Sequence, residues 1–305
     1  MKIYINDSNE NWICDRIRSE FINNNSEYIT DDIFSADVIW LLSNWIWRQI
    51  PVELLSSKKV VVTIHHIDPD KLDVQDFIFR DQFVDAYHVS CEKTIKNFPN
   101  SIDKQKIHIM PYWYNEKIWR PVSEKHTLRQ KFSIPENKFV IGSFQRDTEG
   151  SDLKTPKLSK GPDIFCDIVE RLDPKPHILL SGWRRQYVIS RLTNADITYS
   201  YFELVDVNTL NELYNCLDLY LVTSRYEGGP QAVIECASNK TPILSTDVGI
   251  ANQALIEKCI LNDTIDFINN IKSDNFDYSE ENYKKIQQFK MGTLFPQYLT
   301  FFKSI

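Results

Sequence analysis

The chain has 305 residues, 42% of them hydrophobic and 25% charged, which is enough for one large or two modest cores, and two are expected. A formal net charge of -7 argues against a nucleic-acid binder, and no window is long and apolar enough to span a bilayer as a helix. Six dispersed cysteines, with no C-x-x-C pair and no histidine at zinc spacing, read as free buried thiols of a reducing compartment. The opening M-K-I-Y-I-N-D reads as a strand rather than a signal peptide, so the expected location is cytoplasmic.

In chain order, residues 2–6 alternate as a short strand, and residues 11–21 follow with helical spacing of Trp12, Ile13, Ile17 and Phe21. Residues 36–42 read as a second strand. Residues 60–64 read as a third, β-branched and apolar enough to be buried on both faces. Between them the aromatics Trp45 and Trp47 fit packing, or an acceptor or membrane-surface contact if they are exposed. The third strand runs into His65 and His66, then Asp68-Pro69-Asp70, which reads as a turn and helix cap rather than a metal pair.

Strands at 86–90 and 106–110 enclose a helix at 92–98, and this β-α-β alternation predicts a parallel sheet. The segment 111–121, P-Y-W-Y-N-E-K-I-W-R-P, reads as a connector, with a domain boundary near Pro121. A new strand at 139–144 leads through Gln145 and Arg146 into a long polar stretch that ends at Lys160-Gly161-Pro162. Further strands are expected at 176–182 and 197–202, and a helix at 207–217 with Leu210, Leu213 and Leu217 on its core face. The pair Arg184 and Arg185 fits either a phosphate contact or a plain helix surface. A strand at 259–261, helices near 264–271 and 280–290, and an aromatic helix at 295–302 complete the chain.

The densest chemical signal lies at 224–249, S-R-Y-E-G-G-P-Q-A-V-I-E-C-A-S-N-K-T-P-I-L-S-T-D-V-G. An apolar run at 219–223, a loop, a helix at 231–238 and an apolar run at 241–246 form a strand, loop, helix, strand unit. Such a unit places its loop at the carboxyl end of a parallel strand, where open α/β sheets bind ligands. Gly228 and Gly229 allow close approach of a ligand, Pro230 suits the first turn of the helix, and the helix amides favour an anion. Glu227 and Glu235 present two carboxylates flanking that spot, and a carboxylate is a natural bidentate acceptor for paired sugar hydroxyls.

This E-G-G-P-x-x-x-x-E-x-x-x-x-x-x-P pattern resembles the signature of retaining nucleotide-sugar glycosyltransferases of the GT-B fold, the glycosyl transferases group 1. The resemblance implies two Rossmann-like, doubly wound α/β domains facing a central cleft. Residues 1–121 would bind the acceptor and 122–290 the nucleotide sugar, with 291–305 a helix crossing back to the first domain. It implies transfer of a sugar to an acceptor hydroxyl with retention of configuration, in surface polysaccharide or glycoconjugate synthesis, without metal or other cofactor. The implied donor is a UDP- or GDP-sugar; the implied acceptor is a glycan, a lipid-linked glycan at the inner membrane face, or a protein.

By the same resemblance Glu227 and His65, with His66 as fallback, face the transferred sugar. Arg146 and Lys160 reach the diphosphate. Gly228, Gly229, Gln231 and Ala232 line the donor through their backbone, and Glu235 holds the ribose. Departures from the pattern are the glycine-free first loop, Asp7-Ser8-Asn9-Glu10-Asn11, together with Gly229 in place of a bulky apolar residue and Lys240 in place of glycine. Two other readings stand beside this one: a sugar-nucleotide epimerase of related fold, which would need further acid/base groups in the first domain, and a catalytically silent nucleotide-sugar-binding subunit, which the glycine-free first loop and the small size allow.

Overall fold

The computed structural model describes residues 1–10, 13–122 and 124–305. They form two compact units, Met1–Tyr112 with Gly292–Ile305, and Trp113–Met291.

The first unit holds five parallel strands: β1 (Ile3–Ile5), β2 (Val38–Leu41), β3 (Lys59–Ile64), β4 (Ala86–Val89) and β5 (Ile107–Ile109). They lie side by side in chain order. As the run of β-branched residues predicts, β3 is buried on both faces from Val60 to Ile64, with only Lys59 exposed. The helix after β1 runs Ile13–Asn24 and buries Cys14, Ile17 and Phe21; its expected start at Asn11 and Trp12 lies outside the described residues. Asp68 and Asp73 act as caps, accepting from the backbone N–H of Asp70 at 3.2 Å and of Asp76 at 2.9 Å.

The closing helix, Met291–Ser304, packs its aromatic face on this unit. Phe295 and Phe302 meet Phe21 at ring distances of 5.4 and 6.0 Å, and Phe302 lies 5.0 Å from Trp40. The Tyr298 hydroxyl bonds His88 Nε2 at 3.0 Å. Tyr298 is buried on this face, whereas Leu299 is only half-buried.

The second unit holds β6 (Val140–Phe144), β7 (His177–Ser181), β8 (Tyr199–Phe202), β9 (Leu219–Val222), β10 (Ile243–Thr246) and β11 (Ile260–Leu261). All are parallel, in the order β11-β10-β9-β6-β7-β8. The strand order reverses between β6 and β9, which makes their carboxyl ends a topological switch point, the place where open α/β sheets hold ligands.

The division falls at Tyr112 and Trp113 rather than near Pro121, because the intervening segment is bound into the second unit. Tyr114 exchanges backbone hydrogen bonds with Phe289 and Met291, at 2.9 and 3.0 Å. Asn211 accepts from the Arg120 N–H at 3.2 Å and donates to its carbonyl at 3.1 Å. All six cysteines are free and buried. Among the described residues no helix is long and apolar enough to cross a membrane.

Candidate functional site

The loops after β6, β9 and β10 meet at the switch point. Arg225 and Tyr226 donate their backbone N–H groups to the Ser159 carbonyl at 2.8 and 3.1 Å, and the Thr223 hydroxyl donates to the Gly161 carbonyl at 2.8 Å. Gly161 has a left-handed φ of +59°, and a Cβ there would lie 1.8 Å from the Thr223 carbonyl oxygen, so glycine is required. On the other side Thr246 donates to the Ser224 carbonyl at 2.7 Å. Gly249, with φ +50°, approaches so closely that a Cβ would lie 2.1 Å from the Gly228 carbonyl oxygen. The loop 224–230 is therefore clamped from both flanks by backbone contacts that only small residues permit.

Two of the residues singled out from the sequence, Lys160 and Glu227, meet in this cluster. Lys160 Nζ forms an ion pair with Glu227 Oε1, and the Ser224 hydroxyl donates to the same oxygen at 3.1 Å. Gln145 fixes the turn before the pair by donating to the Lys160 carbonyl at 3.0 Å. Arg146 is half-buried; its Nε donates to the Thr148 carbonyl at 2.8 Å and its guanidinium lies 5.3 Å from the Trp183 ring centre.

Gly228 and Gly229 lie at the turn, Gly228 buried, and Pro230 is the cap residue of the helix Gln231–Ser238, one position earlier than the first-turn placement expected for it. Glu235, on the buried face of that helix, is 4% exposed and accepts from the Tyr214 hydroxyl at 3.1 Å. Gln231 is also buried, and its amide Nε2 has no hydrogen-bond partner among the described residues. A buried donor left unsatisfied is costly, and ligand sites are where proteins retain one. Ala232 is half-buried beside it.

Arg185 serves neither of the roles open to it from the sequence. It is fully buried, donating to Asp147 at 3.0 Å, to the Ser181 carbonyl at 2.7 Å and to the Ser143 hydroxyl at 3.1 Å. Burial raises the Asp147 carboxyl above its ordinary range, against the pull of Arg185. This pair pins the chain immediately after Arg146. The sequence reading also passed over Lys157. Its backbone N–H donates to the Asp147 carbonyl at 2.8 Å, and its ammonium is pushed down to about 8, by burial first and then by repulsion from Lys160 and Arg146. Its spacing of three from Lys160 was the available signal.

His65 stands in the first unit, at the carboxyl end of β3. Its Nε2–H donates to the Leu42 carbonyl at 2.8 Å and its Nδ1 accepts from the Tyr112 hydroxyl at 2.7 Å, so the ring is held neutral in one tautomer. Burial pushes its pKa down to about 4. Trp45, 47% exposed, lies 5.9 Å from the His65 ring and donates to Glu10 at 3.1 Å, whereas Trp47 is core. His66 is exposed.

Known proteins resemble the chain in sequence and in fold. Residues 153–273 match the family model of glycosyl transferases group 1. Over 161 residues, 49% of this chain, it is 23% identical to alpha-galactosylglucosyldiacylglycerol synthase of Streptococcus pneumoniae (strain ATCC BAA-255 / R6); the match spans 40% of that protein's length. The fold is similar to that of Anabaena Alr3699/HepE, solved in complex with UDP and glucose, at a TM-score of 0.81 and 12% identity over 100% of both chains. It is similar to WaaG, a glycosyltransferase involved in lipopolysaccharide biosynthesis, at 0.68 and 11% over 98% of both chains. It is also similar to the sucrose-phosphate synthase of Thermosynechococcus elongatus, at 0.69 and 15% over 95% of this chain and 77% of that one. The two parallel-sheet α/β domains are those of the GT-B fold, and the resemblance to glycosyl transferases group 1 read from the E-G-G-P segment is matched by the family model over residues 153–273.

Proposed function

We propose that this protein is a glycosyltransferase that moves a sugar from a nucleoside diphosphate donor to an acceptor hydroxyl with retention of anomeric configuration. The observation that carries the reading is the Lys160–Glu227 pair at the switch point of the second sheet, on loops that also carry Arg146 and lead into the helix of Glu235 and Gln231, whose Nε2 has no hydrogen-bond partner among the described residues. The similarity to a fold solved with UDP and glucose supports it.

In this reading Glu235 receives the ribose hydroxyls. The amides of Gly228, Gly229, Gln231 and Ala232, at a helix start, face the phosphates and sugar. Arg146 and Lys160 neutralise charge that develops on the diphosphate as it leaves, the task that a metal performs in other designs. Glu227, oriented by Lys160 and Ser224, holds sugar hydroxyls. The acceptor hydroxyl attacks from the leaving group's side, and the diphosphate takes its proton. His65 has both ring nitrogens committed, so it serves as a fixed neutral wall rather than a base. The exposed Trp45 beside it offers an apolar face for a sugar ring of the acceptor. The acceptor class proposed is a glycan or lipid-linked glycan, and the setting surface glycoconjugate assembly at the inner membrane face.

A ligand that binds only the folded chain must raise its melting temperature. Wild type and Glu235→Ala are melted against UDP, GDP, ADP and CMP and their common sugar conjugates. One nucleotide class is expected to stabilise wild type, by about 2.7 kcal/mol at a hundredfold excess over Kd, and to lose that effect in the variant. Transfer with chelator present, and the anomeric configuration of the product, then test metal independence and retention. Binding without transfer or donor hydrolysis would favour the silent subunit, and isomerised donor without acceptor would favour the epimerase.

A further inference from the structure

Residues between Arg146 and Lys160 are not a formless insertion. Glu149 donates its N–H to the Thr155 carbonyl at 3.0 Å and Lys157 to the Asp147 carbonyl at 2.8 Å, with Thr148 and Pro156 bridged antiparallel. The insertion is a short ribbon folded back on itself, and this register places Lys157 across from Asp147, next to Arg146. The chain then makes a single 3-10 turn, Leu158–Lys160, closed by the Lys160 N–H on the Lys157 carbonyl at 2.8 Å. Lys157 caps this turn and Lys160 ends it, so one turn of chain carries both lysines, close enough for their charges to repel. The base of the ribbon is immobilised by the fully buried Arg185 and Asp147 pair.

Three cations thus stand at the end of β6, and their charges are unevenly answered. Lys160 is paired with Glu227, and Arg146 spends its Nε on the Thr148 carbonyl. Lys157 is half-buried, and among the described residues its ammonium makes no hydrogen bond and no ion pair. The charged groups that act on it are Lys160 and Arg146, which repel it, and Glu227 and Glu149, which attract it. A half-buried ammonium held beside two like charges is unfavourable unless an anion completes the cluster.

We propose that Lys157 is a third diphosphate-binding cation of the donor site, carried on the ribbon inserted between Arg146 and Lys160. This rests on the nucleotide-sugar reading of the same site. Lys157 contacts the donor phosphates directly, and with Arg146 and Lys160 it places three positive charges around a group whose negative charge grows as the sugar departs. Anion binding keeps Lys157 protonated, so donor affinity falls as pH rises above the value at which the unliganded group loses its proton. Arginine at this position stays charged and removes that dependence.

The test titrates the full chain by calorimetry with whichever of UDP, GDP or ADP stabilises wild type, and with the corresponding nucleoside, at pH 7 and pH 9. Lys157→Met is expected to weaken the diphosphate on the order of tenfold and to leave the nucleoside unchanged. Lys157→Arg is expected to bind as wild type at pH 7 and to lose less affinity than wild type at pH 9. If Lys157→Met does not fold, the pH comparison between wild type and Lys157→Arg decides alone. Equal diphosphate affinity in the folded variants, with the same pH dependence as wild type, overturns the role of Lys157 and leaves the donor site standing. Failure of all three diphosphates to bind folded wild type overturns the donor site, and this proposal with it.

Discussion

At the scale of single residues, a fully buried ion pair in the second unit holds the backbone next to Arg146. Arg185 and Asp147 are both fully excluded from solvent, so neither charge has water to fall back on. Removing one partner of a buried pair costs about 3–5 kcal/mol, because the other is left uncompensated. Arg185→Met is therefore expected to lower the unfolding free energy measured by urea titration by that amount, and the double variant Arg185→Met/Asp147→Leu to recover part of it. Recovery in the double variant separates loss of pairing from loss of volume. Lys240 illustrates a milder compromise. It occupies a left-handed position, φ +54°, where glycine is the unstrained choice, and its ammonium is tied to Glu280 at 2.8 Å and lies 4.9 Å from the Tyr283 ring centre. That geometry accounts for the departure from the E-G-G-P pattern at this position: the site needs a left-handed residue, and lysine gains local partners there.

At the scale of elements, the candidate site depends on three loops that touch through their backbones. Gly161 faces the Thr223 carbonyl and Gly249 faces the Gly228 carbonyl, each at a distance that no side chain tolerates. A methyl group at Gly161 meets backbone, which cannot swing aside as a flexible side chain could. Gly161→Ala is expected to cost about 1–3 kcal/mol in stability and to separate Lys160 from Glu227, so that the nucleotide-dependent rise in melting temperature falls as well. Circular dichroism melting with and without nucleotide checks both effects. The helix Gln231–Ser238 shows the same economy: it buries seven of its residues, Glu235 among them. Glu235 is legible in sequence through its spacing from Glu227, but its burial is not. Its partner Tyr214 comes from a different helix, and nothing in the local spacing announces it.

At the scale of the whole molecule, buried histidines tie stability to pH. His65, His88 and His177 are each pushed down to about 4, chiefly by burial, from an ordinary value of 6.5. Between these values the unfolded chain binds protons that the folded chain refuses, so stability falls as pH drops from about 7 towards 4. His88 is fully buried, with Nε2 near the Met110 carbonyl at 2.9 Å and Nδ1 bonded to Thr63 at 3.0 Å. His88→Gln is expected to be less stable than wild type at pH 7 and to lose less stability on acidification. Melting temperatures of both proteins from pH 7.5 to 4.5 measure the difference in slope.

The sequence by itself determined the two parallel α/β units, because apolar runs such as 60–64 and 219–222 declare strands buried on both faces, and helical spacing between them leaves only parallel crossovers. It also determined the loop at 224–230, since Gly228, Pro230 and the two glutamates act through local backbone geometry that spacing records. Only the tertiary structure decided which residues stand together. The reversal of strand order between β6 and β9 brings 146, 160 and 227 to one place across more than eighty positions of sequence. The ribbon register adds Lys157, and the fully buried Asp147 turns Arg185 from a surface candidate into a brace. Contacts of this kind join side chains through pairings of distant strands and turns. Local periodicity carries no information about which distant partner a charged group will find, and burial alone then sets what that charge costs.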